Sequence, residues 1–304
     1  MSRMPSNGLP MPPETTLPVP LSSLHEVETR FGIAFAEHDG TVLAGDFYRP
    51  KGMPGMPVIV AVHGGAWQIG ASSRYQHWGP FLAQRGYALF AITYRLSTPA
   101  AKSFPHAFFD VKAGIQFIRA RAAEFGIDPE RIAVVGDSAG AHLGSLVALA
   151  WNEPIFAGAY LDDQHAATPA HVKAVVGFYG VYDLLAQWEH DQLKRSGDQI
   201  TEKFLGAPPR DNRRIYFDAS PISYATTDRN QTRFLLIDGT HDDIVDANVQ
   251  GAAFLTALKN ANFFARAIVV PGAGHFWITD PIEESGSYGS YVAPKLLRFL
   301  QISL

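Results

Sequence analysis

The chain has 304 residues, of which 47% are hydrophobic and 18% charged, and its formal net charge is −4. Those figures suit a globular protein with a sizeable core, and they give no electrostatic reason to expect nucleic acid or an anionic membrane surface as partner. The absence of cysteine excludes a disulfide framework, a thiolate metal site and a cysteine nucleophile together.

Residues 1–20 are rich in proline and polar side chains and contain no apolar core of signal-peptide length. They read as an extended arm that could pack against a neighbouring subunit of a homodimer. No later stretch holds eighteen uncharged apolar residues in a row, so no membrane span is expected and a cytoplasmic location is the default.

From Phe31 onward, short β-rich runs alternate with helical patterns. The first two strands, Phe31–Glu37 and Val42–Tyr48, alternate in polarity and suit an antiparallel sheet edge. Val58–Val62 is continuously apolar and runs into His63-Gly64-Gly65-Ala66-Trp67. Glycines there let the backbone approach a ligand and turn its N–H groups inward. Such fixed donors meet the negative charge that develops on a carbonyl oxygen under attack, and losing one costs about 10²–10³ in rate. Gly65 and Ala66 are the expected donors, with Gly64 as an alternative and His63 in a structural role.

After the strand Ala88–Tyr94, apolar residues from Phe108 to Phe125 recur at spacings of three and four. They place one stripe on a helix, which the Gly126–Pro129 turn ends. The next strand, Ile132–Val135, leads into Gly136-Asp137-Ser138-Ala139-Gly140, a match to G-x-S-x-G that opens a further helix. The bare pattern occurs by chance in roughly a tenth of chains this long. Its strand–turn–helix setting is what gives it force, since a sharp turn lifts Ser138 Oγ above the sheet. Ala139 then adds a third N–H donor. Asp137 is expected to point away from the site by strand alternation, and His142 to pack against the sheet.

Ala174–Tyr179 is another apolar strand. Residues 183–230 then break the rhythm with polar residues and loop punctuation, and read as a lid inserted between strands. Phe234–Ile237 leads into Gly239–Val245, where G-x-x-D-x-x-V spacing selects Asp242 over Asp243 as the acid. A helix over Val249–Leu258, the strand Ala265–Val270 and a helix over Val292–Leu300 complete the chain. His275 follows the last strand, where a loop can bring an imidazole over Ser138. The nucleophile–acid–base order is that of a strand-to-helix serine elbow. His275 would take the serine proton and return it to the leaving group, and Asp242 would fix the imidazole tautomer. No histidine spacing suggests a metal site, and no cofactor is required.

His63–Trp67, Gly136–Gly140, Gly239–Val245 and His275 together resemble the α/β-hydrolase superfamily. More narrowly they are similar to the hormone-sensitive-lipase-like esterases, whose HGG loop and G-D-S-A-G elbow they match. Tyr94-Arg95-Leu96 and the helix start from Phe104 to Asp110 fit the same group. The resemblance covers roughly residues 42–300. Ala66 stands where the HGGG form has its third glycine, a variant also similar to arylformamidases and to feruloyl or acetyl-xylan esterases, and the N-terminal helical cap of many relatives is missing or much reduced. The resemblance implies an α/β fold with a mostly parallel sheet, helices on both faces and a small lid, in a single domain over 21–304. It also implies hydrolysis of a small or aromatic carboxylic ester through an acyl-enzyme. Formamide hydrolysis on the same machinery and a non-catalytic binding protein are the alternatives. Trp67, Phe276 and Trp277, together with Trp78 and Trp188, either line a substrate pocket or belong to the core.

Overall fold

The computed structural model describes residues 24–304; the proline-rich arm over 1–20 lies outside them. Eight strands form one sheet: β1 (Val27–His38), β2 (Thr41–Pro50), β3 (Met56–Val62), β4 (Ala88–Ile92), β5 (Ile127–Asp137), β6 (Ala174–Phe178), β7 (Arg233–Gly239) and β8 (Ala265–Val270). Their order across the sheet is β1-β2-β4-β3-β5-β6-β7-β8. β1 and β2 pair antiparallel, as does β2 with β4, and every later pairing is parallel. The two alternating strands thus lie at the antiparallel edge, and the apolar ones fill the middle.

Helices α1 (Trp78–Ala83), α2 (His106–Ala120), α3 (Ala122–Phe125), α4 (Ala139–Ala150), α8 (Ala253–Asn260) and α9 (Tyr288–Ser303) cover the sheet, while α5 (Leu184–Lys194), α6 (Ile200–Leu205) and α7 (Arg213–Ala219) lie between β6 and β7. Side chains that alternate along a strand serve opposite cores. Val58, Val60 and Val62 of β3 join one apolar cluster with α2, α4 and α8, whereas Ile59 and Ala61 join the other with α1 and α9. Covering both faces is why the central strands are apolar throughout.

Three elements differ from the sequence expectation. The stripe from Phe108 to Phe125 is carried by two helices, because the backbone leaves helical geometry at Arg121 (φ −102°, ψ 23°) and ends at left-handed Gly126. Both Phe117 and Phe125 still reach the core, since periodicity reports which face is buried and not whether the backbone is continuous. β5 begins at Ile127, pairing with Met56, so the expected turn is partly strand. The helix expected over Val249–Leu258 opens with π-helical turns at Asn248–Ala252.

Candidate active site

Ser138 stands between β5 and α4 at φ 52°, ψ −118°, a region that L-residues rarely occupy. The surroundings enforce it. A Cβ on Gly140 would lie 1.9 Å from the carbonyl oxygen of Val62, and one on Gly136 would lie 2.4 Å from the Gly140 backbone. The two flanking glycines therefore let strand and helix touch, and the Ser138 N–H donates to Phe178 O at 2.8 Å. Ser138 is 8% exposed.

His275 Nε2 lies 3.0 Å from Ser138 Oγ, and its Nδ1 lies 2.7 Å from Asp242 Oδ2. An ionised carboxylate only accepts, so Nδ1 carries a proton and a neutral ring offers Nε2 as acceptor to the serine hydroxyl. The other oxygen of Asp242 accepts from the N–H groups of Ile244 and Val245, each at 2.9 Å. Asp242, and not Asp243, is the carboxylate brought to His275. The backbone carbonyl of Asp243 instead accepts from His190.

The loops bearing Asp242 and His275 are tied together. His241 N donates to Ala273 O, Thr240 N to Val270 O, and Gly272 N to Thr240 Oγ1. Gly239 permits this contact, because a Cβ there would sit 2.3 Å from Ala273 O. Beneath them lies Asp238, whose carboxyl is pushed up to about 7 by burial and by the neighbouring Asp242 charge.

Ahead of these, Gly65, Ala66 and Trp67 all take positive φ, at 123°, 53° and 59°. Three successive left-handed residues turn the loop so that the N–H groups of Gly65 and Ala66 find no acceptor among the described residues, and the same holds for Ala139. The alternative donor, Gly64, is occupied: its N–H donates to Asp137 Oδ1 at 2.9 Å. Asp137 serves as the anchor of this loop. Its buried carboxylate also accepts from Tyr75 OH and from Arg74 Nε. His63 Nδ1 contacts Gly64 O, and its ring stacks on Tyr94.

His142 accepts the indole N–H of Trp67 at Nδ1 (3.1 Å) and contacts Ala219 O through Nε2 (2.7 Å). That pairing defines a neutral ring protonated at Nε2, and burial lowers its pKa to about 4, against the pull of the Ala219 carbonyl. Trp67 is fully buried and stacks on Phe204. The aromatic expectation therefore needs correcting. Trp67, Trp78 and Trp277 are core side chains, because their rings are packed against other rings and present essentially no surface to a bound molecule. Phe276 is 53% exposed, edge-on to the His275 ring at left-handed φ 70°, and Trp188 is half-buried.

Sequence reasoning missed Tyr179. Its ring lies 4.4 Å from that of His275, and its hydroxyl accepts from Ile278 N, which seats the His275 loop. The only signal for it was an aromatic residue at a strand end. Among the described residues, no group of three or more His, Asp or Glu side chains is arranged to hold a metal ion, and no helix is long and apolar enough to cross a membrane.

Comparison with known proteins bears on the family and the fold. "Probable carboxylic ester hydrolase LipM" of Mycobacterium tuberculosis is 32% identical over 240 residues, covering 74% of this chain and 52% of LipM. "Esterase LipC" of the same organism is 33% identical over 245 residues, covering 76% and 56%. The chain spans about half the length of the curated relatives it matches. A fungal esterase of Rhizomucor miehei is similar in structure with a TM-score of 0.70 and 26% identity, covering 92% of this chain and 85% of that one. The BD-FAE family model matches residues 46–258, well over half of the 304. This α/β-hydrolase chain therefore belongs to the BD-FAE family.

Proposed function

We propose that the chain is a carboxylic ester hydrolase that works through an acyl-enzyme on Ser138. The observation that carries the reading is the unbroken hydrogen-bond relay from Ser138 through His275 to Asp242. The names of LipM and LipC support the same reaction class.

In this reading His275 Nε2 accepts the hydroxyl proton as Ser138 Oγ adds to the ester carbonyl. The oxyanion of the tetrahedral intermediate takes hydrogen bonds from the N–H groups of Gly65, Ala66 and Ala139, donors that no protein group competes for. Asp242 stabilises the imidazolium. His275 then passes its proton to the departing alcohol, and a water molecule repeats the sequence to release the acid. The acyl-enzyme forms and breaks with no external electron acceptor or donor. Residues 183–230 serve as a lid, and Phe276 and Trp188 offer apolar surface to a small ester. Ile69, 69% exposed in the same loop as Ala66, adds to that wall.

The test is hydrolysis of p-nitrophenyl esters of increasing acyl length by the wild type and by Ser138→Ala. The variant should lose several orders of magnitude in kcat with little change in folding. Wild-type turnover in the variant would falsify the mechanism. A kcat/KM for an aryl formamide well above that for every ester would move the function to amide hydrolysis.

A further inference from the structure

The turn that presents Asp242 is gripped from the segment between β6 and β7. Gln187 of α5 is fully buried, and its carboxamide nitrogen donates to Ile244 O at 2.9 Å and to Asp191 Oδ1 at 3.0 Å. The Ile244 carbonyl only accepts, which fixes the nitrogen, and not the oxygen, toward it. One turn along α5, His190 Nε2 lies 3.1 Å from Asp243 O, again an obligate acceptor. Ile244 thus works in both directions. Its carbonyl accepts from Gln187, and its N–H donates to Asp242 Oδ1. The bonds from Ile244 and Val245 to Asp242 are local and set only the shape of the turn. Its placement over the sheet comes from His241 and Thr240 on the His275 side, and from Gln187 and His190 on the other.

We propose that Gln187, assisted by His190, is a positioning residue for the relay, holding the 242–245 turn in register with His275. The proposal rests on the relay being catalytic. It makes the base's alignment depend on α5 being seated, so the segment between β6 and β7 contributes to turnover as well as to substrate contact. The covering segment would then be sensed at the serine through Gln187, Ile244, Asp242 and His275 in series. Removing a side chain that orients a functional group costs about 10–100-fold in well-studied metal sites, and a misplacement near 1 Å can cost about 10²-fold.

The experiment measures kcat and KM separately on p-nitrophenyl acetate, with the full chain. Gln187→Met keeps the shape and removes both donors. It should lower kcat by about tenfold or more with KM nearly unchanged. In an Asp242→Asn background there is no carboxylate left to aim, so the same substitution should cost less than about twofold. The downfield proton resonance of His275 Nδ1–H should broaden or shift in Gln187→Met. Thr232→Val, which removes a buried hydrogen bond to Val172 O at the far, N-terminal end of β7, should lower Tm while leaving kcat and that resonance in place. If Gln187→Met does not fold, the half-exposed His190→Ala reads the same clamp with a smaller loss in kcat. Wild-type kcat and an unmoved resonance in both variants overturn the proposal, as does an equal loss in the Asp242→Asn background. A Ser138→Ala variant that still turns over would overturn the relay itself, a separate outcome.

Discussion

Ser138 occupies a backbone conformation that costs on the order of 1–3 kcal/mol, and it is held there by contacts that only glycine neighbours allow. The five-residue pattern was legible because those glycines are steric necessities. The choice of acid was less so. Asp242 and Asp243 are adjacent carboxylates, and spacing alone favours one of them weakly. What separates them is three-dimensional: Asp242 receives two backbone N–H bonds and reaches His275, while Asp243 does neither. Asp242→Asn should therefore lower kcat by about 10⁴-fold, by analogy with the loss of tautomer control in serine triads, whereas Asp243→Asn should stay near the wild-type value. Equal effects of the two substitutions on p-nitrophenyl ester turnover would remove Asp242 from its role. Trp67 shows the opposite limit of the sequence. Its neighbours in the chain suggested a pocket wall, yet its indole is committed to His142 and Phe204, partners 75 and 137 positions away.

Strands and helices were read well where the apolar pattern is imposed by burial on both faces, as in β3 and β4. Boundaries were read less well, since a stripe such as Phe108–Phe125 survives a break in the helix. Contacts between distant elements were not legible at all, and one of these has a pH dependence. His38, at the end of β1 and fully buried, lies between Asp110 of α2 (2.6 Å) and Asp163 (2.7 Å) in the connection from α4 to β6. Arg95 also binds Asp110, and Tyr160 stacks on the His38 ring. Burial opposes a charged ring here, but the hydrogen bonds and charges of Asp110 and Asp163 outweigh it and raise the pKa above its ordinary value. A raised folded-state pKa means that the staple's stabilisation is complete below about 6.5, the unfolded value for histidine, and fades as pH rises through the folded value. The Tm gap between wild type and His38→Gln should accordingly be largest near pH 6 and narrow toward pH 9. A gap that widens with pH contradicts the assignment.

At the scale of the whole molecule, the sheet divides its side chains between two cores and leaves the loops at the C-terminal ends of β3, β5, β7 and β8 to carry the chemistry. The loops after β3, β5 and β7 carry glycines that a close approach requires, at Gly65, Gly140 and Gly239, whereas a Cβ on Gly274 of the β8 loop would meet only ordinary contact. The arrangement of residues 183–230 was not legible in the sequence, because α5, α6 and α7 are short and their burial is decided by what they meet, such as Ile244 and Trp67. The proposed chemistry requires Ser138 to be the residue that becomes acylated. Its most direct test is peptide mapping by mass spectrometry after reaction with a fluorophosphonate, which modifies a serine activated by a neighbouring base. The predicted result is one adduct per chain, on Ser138, abolished in His275→Ala. An adduct on another residue, or an unmodified Ser138 in protein that hydrolyses esters, would contradict it.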